Sequence, residues 1–251
     1  MSGIKALSLL LLGLLLPATG QAKVFVATSD IWAPFFMEQK GHYSGIGVDI
    51  LREVFKRTGD QLTIKALPMR RAEWLFEENS VDLIVMDSPS WNDPGKADTY
   101  LFSDTILSVR EHIYFSRTEV IQVSQPEDMA QKVIGTRKGY RFPLFSEAFS
   151  SGLVTRHEAD SDLLLLKLLI ANRTDAIFMD SVAFAYATRT FNINRDLFVR
   201  GMELSHADLG IKLTAANSAA LPRINKAIAE MKLDGTIARI CNQYLSEEAT
   251  K

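Results

Sequence analysis

Apolar residues recur along this chain in two rhythms, and their alternation sketches an architecture. "KVFVATSD" (23–30) is rich in β-branched and aromatic side chains and predicts a strand. "GVDILREVFKRTG" then places Ile50, Leu51, Val54 and Phe55 on one helical face and stops at Gly59. "QLTIKAL" predicts a second strand, "RRAEWLFEENS" a short helix and "VDLIVMD" a third strand. The pattern restarts with strand "KVIGTRKG", helix "YRFPLFSEAFSSG" ending near Gly152, and helix "SDLLLLKLLIANR" capped by Asp160 or Ser161. "TDAIFMD" predicts the next strand, "SVAFAYATRTF" a helix, "LGIKLT" a further strand, and "AALPRINKAIAEMKLDG" and "TIARICNQYLSEE" two closing helices. Strands alternating with helices of this length predict the α/β class, here as two similar units followed by a tail of strand and helices.

The first 22 residues stand outside that pattern. Lys5 is followed by the apolar run Ala6–Leu16, too short to span a bilayer, and then by Gly20 and Ala22, which suit a small-residue cleavage site. They predict a secretory signal peptide cut after Ala22, hence a periplasmic protein. The remaining 229 residues hold 27 Lys and Arg against 30 Asp and Glu, a formal charge of −3, so neither a nucleic acid nor an acidic membrane surface is expected as partner. Cys241 is the single cysteine, so no internal disulfide forms; it is expected as a small apolar residue of the last helix.

Catalytic signatures are absent from the sequence: no G-x-S-x-G elbow, no phosphate-binding G-x-x-x-x-G-K loop, no H-E-x-x-H. His42, His112, His157 and His206 are scattered singly, and the glycines of "GHYSGIGVD" have the wrong spacing for a dinucleotide loop. No cofactor and no metal is expected. Chemistry-bearing residues instead cluster just after strands, where open α/β sheets bind ligands. Four such places are "SDIWAPFF", "MDSPSW", "RKGYRF" and "MDSVAF".

These blocks, taken in order with "APFFMEQKGHYSGIGVDILREVFKRTG", "YLFSDTI" and "LPRINKAIAEMKLDGTIARICNQY", resemble the bacterial extracellular solute-binding proteins of family 3, the polar amino acid binders of ABC importers. The resemblance covers nearly the whole chain after residue 22. It implies the type II periplasmic-binding fold: two lobes, each a mixed, mostly parallel sheet flanked by helices, joined by two hinge strands and closing on a ligand. The first lobe would comprise residues 23–110 and 209–251, the second 115–200, with crossings at 111–114 (within "EHIYF") and 201–208 ("GMELSHAD"). The implied partners are a small polar ligand, an amino acid or related amine or carboxylate, and an ABC permease, for a protein acting as a monomer. Two alternatives follow from the same fold: a module docking on a membrane sensor, and a dehydratase acting on prephenate or arogenate.

The resemblance also implies site residues. The acid that holds a ligand amino group maps to Asp180, a role compatible with capping the helix that follows. The arginine that grips the carboxylate maps, six residues before Phe102, to Lys96, a point charge where a planar fork is usual; Lys96 is either a ligand contact or a solvated loop charge. In "RKGYRF", Tyr140 and Arg141 follow Gly139, and Arg141, expected at a helix start, is a second cation for the same anion or a surface residue. Trp32 and Phe35 (or Phe36) form an aromatic wall unless the phenylalanines are core. Asp87, Ser88 and Ser90 lie where hydroxyls and backbone meet ligand, and Asp87, as a second acid, favours an amine-bearing one. "LPMRRAEW" marks a divergent branch, with Arg71 facing the cleft or capping the sheet edge.

Overall fold

A computed structural model describes residues 23–245 and, at 94, 97 and 98, the backbone alone. The expected signal peptide falls on residues 1–22, outside the described residues. The first half runs β1 (Val24–Ser29), a small hairpin β2 (Met37–Gln39) and β3 (His42–Ser44), α1 (Ile46–Thr58), β4 (Gln61–Ala66), α2 (Met69–Glu77), β5 (Leu83–Asp87) and β6 (Tyr100–Phe102). A long strand β7 (Leu107–Ser116) leads to β8 (Val133–Arg137), α3 (Ser146–Ser150), β9 (Thr155–Ala159), α4 (Asp162–Ile170), β10 (Ala176–Asp180) and α5 (Ser181–Thr190). The 17-residue β11 (Phe198–Thr214) returns, followed by α6 (Leu221–Leu233) and α7 (Thr236–Leu245).

The strands follow the order β4-β1-β5-β11-β7-β10-β8-β9, with β6 also on β11. β1 pairs parallel with β4 and β5, and β8 pairs parallel with β10 and β9, so each lobe has its own parallel core. β7 and β11, antiparallel to each other, run through both lobes, and their register shifts between Arg200 and Glu203 and again between Glu203 and Ser205. Such irregularities remove ladder hydrogen bonds and sharpen twist. They lie opposite Glu111–Tyr114, the stretch of β7 that pairs with β10 on its other side.

Buried packing runs through both lobes, one cluster taking in α1 and α6 of the first and α4 and β10 of the second. In the first, α1 buries Ile46, Val48, Ile50, Leu51, Val54 and Phe55 against the sheet and α6. Each such large side chain contributes roughly 1.5–3 kcal/mol when taken out of water. In the second, Phe178 of β10 meets Phe142 and Phe145 edge-on at centroid distances of 5.0 and 4.8 Å. Cys241 is half-buried against the first-lobe core, where burial raises its thiol pKa.

Three sequence expectations change. "GMELSHAD" and "LGIKLT" are one strand, β11. The helix expected from Tyr140 begins only at Ser146, after a 3-10 turn over Pro143–Phe145. The cause is Pro143, which disfavours helical geometry at the residue before it; Phe142 sits at φ −131°, ψ 85°. Finally, β9, with its polar sequence Thr-Arg-His-Glu-Ala, was not anticipated, because an edge strand exposed on both sides shows no apolar alternation.

The start of α1 packs directly on the turn that carries Trp32. Gly45 lies at φ 121°, ψ 164°, a region that essentially only glycine occupies. A Cβ there would stand 2.6 Å from the Phe35 carbonyl oxygen and 2.7 Å from that of Pro34. Gly45→Ala is expected to cost about 2–4 kcal/mol, lowering Tm by about 5–10 °C. An unchanged urea midpoint would show that the turn is not held in this way.

Candidate functional site

The carboxyl ends of β1, β5, β8 and β10 converge between the lobes, as open α/β sheets arrange their ligand sites. Trp32, Glu73, Asp87 and Trp91 come from the first lobe, and Arg137, Tyr140, Arg141, Asp162 and Asp180 from the second; Glu111 of β7 joins them in the lining. The enclosed space is about 60 Å³. On a scale where one water needs roughly 10–15 Å³, that holds the head group of a small molecule.

Each acid around this space has a structural partner. Asp180 caps α5: its Oδ1 accepts from the backbone N–H of Val182 (2.9 Å) and Ala183 (2.8 Å), while its Oδ2 accepts from Trp32 Nε1 across the cleft (3.0 Å). Burial nevertheless pushes its pKa up to about 7, with Asp162 and Glu111 adding to the rise and the Ala183 and Trp32 N–H groups opposing it. Glu111, in β7, is raised to about 6 by burial, against the opposing effects of the Ser205 hydroxyl and the Trp91 indole.

Arg137 is 7% exposed and joins the two lobes. Its Nη2 donates to Asp30 Oδ2 (3.0 Å) and to the Ile31 carbonyl (2.8 Å), and its Nη1 lies 3.5 Å from Asp162 Oδ2. Burial raises the pKa of both acids in spite of that cation. Nearer the rim, Arg141 donates to Glu73 (3.3 Å) and Arg70 lies 3.8 Å from Glu158, again across the cleft. On another side of the interlobe contact, Arg189 of α5 donates to the carbonyls of Tyr244 (2.6 Å) and Leu245 (2.9 Å) at the end of α7, and the Tyr186 hydroxyl to Met37 Sδ (3.1 Å).

A backbone irregularity sets Asp87. β5 and β11 slip register between Gly210 and Lys212, and opposite the slip Met86 takes φ 53°, which is uncommon for a residue with a side chain. Asp87 thereby faces both the cavity and Lys212, whose Nζ lies 3.3 Å from Asp87 Oδ2. Lys212 is 4% exposed, hydrogen-bonded to Asn92, and stacked over the rings of Phe76 (4.9 Å) and Tyr100 (4.7 Å).

Three buried donor-bearing atoms in the cavity lining have no well-aligned protein hydrogen bond: Trp91 Nε1, Tyr140 Oη and Arg137 Nε. Buried polar groups left unmet cost about 1–3 kcal/mol each. An acceptor such as a carboxylate or carbonyl would satisfy them.

Of the residues expected from sequence, Trp32, Asp87, Tyr140, Arg141 and Asp180 line this cavity. Phe35 lies behind Trp32, 1% exposed, with ring centroids 4.1 Å apart. Ser88 is buried in the turn after β5, where its hydroxyl meets that of the exposed Ser90 at 3.0 Å, and neither lines the cavity. Lys96 pairs with Glu77 (2.5 Å) in a neighbouring depression. Arg141 has no helix dipole behind it, and Asp87 is already neutralised by Lys212, so it is not the free acid the sequence implied. Arg71 stacks on Trp74 at 4.8 Å on the exposed side of α2, rather than facing the cleft or capping the sheet edge. Pattern reading passes over Arg137, Glu111, Trp91 and Lys212. Arg137 and Trp91 carried a signal, the one a cation ending a strand in "RKGYRF" and the other the aromatic residue of "MDSPSW".

The profile of the family described as "Bacterial extracellular solute-binding proteins, family 3" matches residues 24–247. The chain belongs to that family. It is 22% identical over 240 residues to the L-cystine-binding protein TcyJ of Escherichia coli K12, covering 95% of this chain and 88% of the relative. An ancestral arginine-binding protein bound to arginine shares the fold with a TM-score of 0.73 and 22% identity, over 90% of this chain and 99% of that one. A histidine kinase sensor domain with similarity to periplasmic binding proteins does so with a TM-score of 0.74 and 18% identity, over 90% and 96%. The two-lobed α/β architecture of this family-3 protein is thus the one its relatives share.

Two outcomes follow from the charges of this family-3 cleft. Arg137→Met leaves Asp30 and Asp162 without their cation and is expected to cost about 3–5 kcal/mol in chemical denaturation at pH 8, part of which Asp162→Asn in the same chain restores; equal stability of the single variant would refute the network. Asp180 binds its proton more tightly folded than unfolded, so its contribution to stability falls as pH rises from about 4 to about 7. Asp180→Asn keeps the cap and removes that titration. The Tm of the variant relative to the original chain should therefore be higher at pH 8 than at pH 5, and a difference independent of pH would count against the raised pKa.

Proposed function

We propose that this protein is a periplasmic solute-binding protein that captures an α-amino acid or a close relative between its lobes and presents it to an ABC importer, performing no chemistry itself. One juxtaposition carries the reading: around a single small cavity stand two carboxyls made reluctant to ionise by burial, Asp180 and Glu111, and the unmet donors of Tyr140 and Arg137, beside a Trp91 indole only loosely engaged with Glu111. An ammonium group stabilises the first set in its charged form, and a carboxylate accepts from the second. A zwitterionic head group offers both within a few ångströms. The relatives' names, a cystine-binding and an arginine-binding protein, support the same class.

In this proposal residues 23–110 and 209–251 form one lobe, 115–200 the other, and the crossings 111–114 and 201–208 bend. The register shifts in β11 at 200–205 support bending there. The ligand touches both lobes only when they are closed, so its differential affinity shifts the population toward that form. Closed lobes offer a permease a surface that open lobes lack. The likeness to a histidine kinase sensor domain supports a second reading, in which the closed form docks on a membrane receptor. Neighbouring genes for a permease and ATPase favour import, and those for a kinase or cyclase favour sensing.

The test is thermal denaturation with a panel of amino acids, including cystine, arginine and histidine, beside mass spectrometry of whatever small molecule denaturation releases from freshly purified protein. A true ligand at a hundredfold excess over Kd should stabilise by about 2.7 kcal/mol and raise Tm by about 5–10 °C. Asp180→Ala should abolish that shift. Because the amine needs Asp180 ionised, affinity should weaken about tenfold between pH 8 and pH 6, on either side of its pKa of about 7. No shift with any compound, and no released molecule, would defeat the small-ligand reading.

A further inference from the structure

Beside the inner cavity lies a second, larger one of about 340 Å³, and the two share Glu73 and Arg141 as a common wall. Its floor is the buried Lys212 with Tyr100 and Phe76, its sides include Asn92 and Thr99, and its outer rim is the exposed Lys96–Glu77 pair. The common wall is slight. Arg141 and Glu73 are joined by one hydrogen bond of 3.3 Å, and the Arg141 side chain is 48% exposed, so rotation of that side chain opens one space to the other.

The chemistry of the second chamber differs from that of the first. Its cations, Lys96, Arg141 and Lys212, are matched by its acids, Glu73, Glu77 and Asp93, and amides and hydroxyls lie between them. Such a lining suits a polar arm with amide or hydroxyl groups along it and, at the Lys96 end, a carboxylate in place of that of Glu77. Of the cations, Lys212 is committed to Asp87 and Asn92. Lys96 and Arg141 are each held by a single solvent-accessible carboxylate and exchange it for another at little cost.

We infer that this protein's ligand is a side-chain-extended amino acid, whose α-amino and α-carboxylate head occupies the inner cavity while a polar arm ending in a carboxylate crosses the Arg141–Glu73 wall to reach Lys96. This rests on the amino acid reading above and adds the length and terminus of the ligand. The inner space alone, about 60 Å³, has room for little beyond the head. The arm displaces the Glu77 carboxylate from Lys96 and brings Asn92, Asp93, Lys96 and Thr99, which the head does not touch, into the recognition surface.

Three pairs of probes test it by calorimetry on the full mature chain: L-glutamine against γ-L-glutamylglycine, L-lysine against Nε-succinyl-L-lysine, and L-cysteine against L-cystine. In the pairs that bind, the extended member should bind at least tenfold tighter than the short one. Lys96→Ala, a change at an exposed side chain, should collapse that ratio toward one for the carboxylate-ended arms. Extended members that bind no tighter than their short partners, or a ratio that survives Lys96→Ala, would overturn the inference while leaving the amino acid reading intact. If no probe of either length binds, the amino acid reading itself fails and this inference falls with it.

Discussion

A guanidinium taken almost wholly out of water keeps its charge only if oxygen atoms surround it, and the cleft of this protein is organised around that demand. Arg137 ends β8 in the second lobe, yet two of its oxygen partners, Asp30 and the Ile31 carbonyl, belong to the first. A lone buried ion pair contributes little net stability, because desolvation offsets attraction. What it contributes here is geometry. The loop after β1 must lie against the end of β8, which sets Trp32 beside Asp180 and fixes how closely the two sheet ends approach. The contact between the lobes is therefore polar here, beside an apolar cluster that also takes in residues of both.

The same dryness governs the acids. Asp162 and Glu111 stand close enough to Asp180 to raise its pKa, Asp30 does the same to Asp162, and one arginine does not compensate all of them. The cleft therefore holds electrostatic tension that a cationic group relieves, while the Tyr140 hydroxyl has no protein acceptor. At Asp87 the tension has been removed internally by Lys212, whose own charge is shielded by Asn92 and two aromatic faces. Two carboxylates at the ends of neighbouring elements thus play different parts, and only their surroundings distinguish them.

That distinction explains what the sequence could and could not reveal. The α/β class, the order of the blocks and the capping role of Asp180 were legible, because strand composition, helical periodicity and N-caps are local properties. The pairing of Asp87 with Lys212 was not, since the two are far apart in the chain and meet only through a bulged β5–β11 ladder. Arg137 looked like one cation among several in "RKGYRF"; its burial depends on a loop from the other lobe. Conversely, Lys96 drew attention by its place in the family pattern, and only tertiary structure puts it outside the inner cavity. Local signals located the strand ends, and non-local packing decided which side chains meet there.

The clasp at the end of α7 carries a practical consequence. Tyr244 belongs to the first lobe by its hydroxyl, which donates to Asp49 and accepts from the Gly45 N–H, while its main-chain carbonyl accepts from Arg189 of the second. Whatever follows Leu245 therefore begins at a seam between the two lobes. An affinity tag, a fluorophore or a surface tether fused there pulls on a contact that joins them, whereas the same chain immobilised through a residue on the outer face of α6 leaves that contact alone.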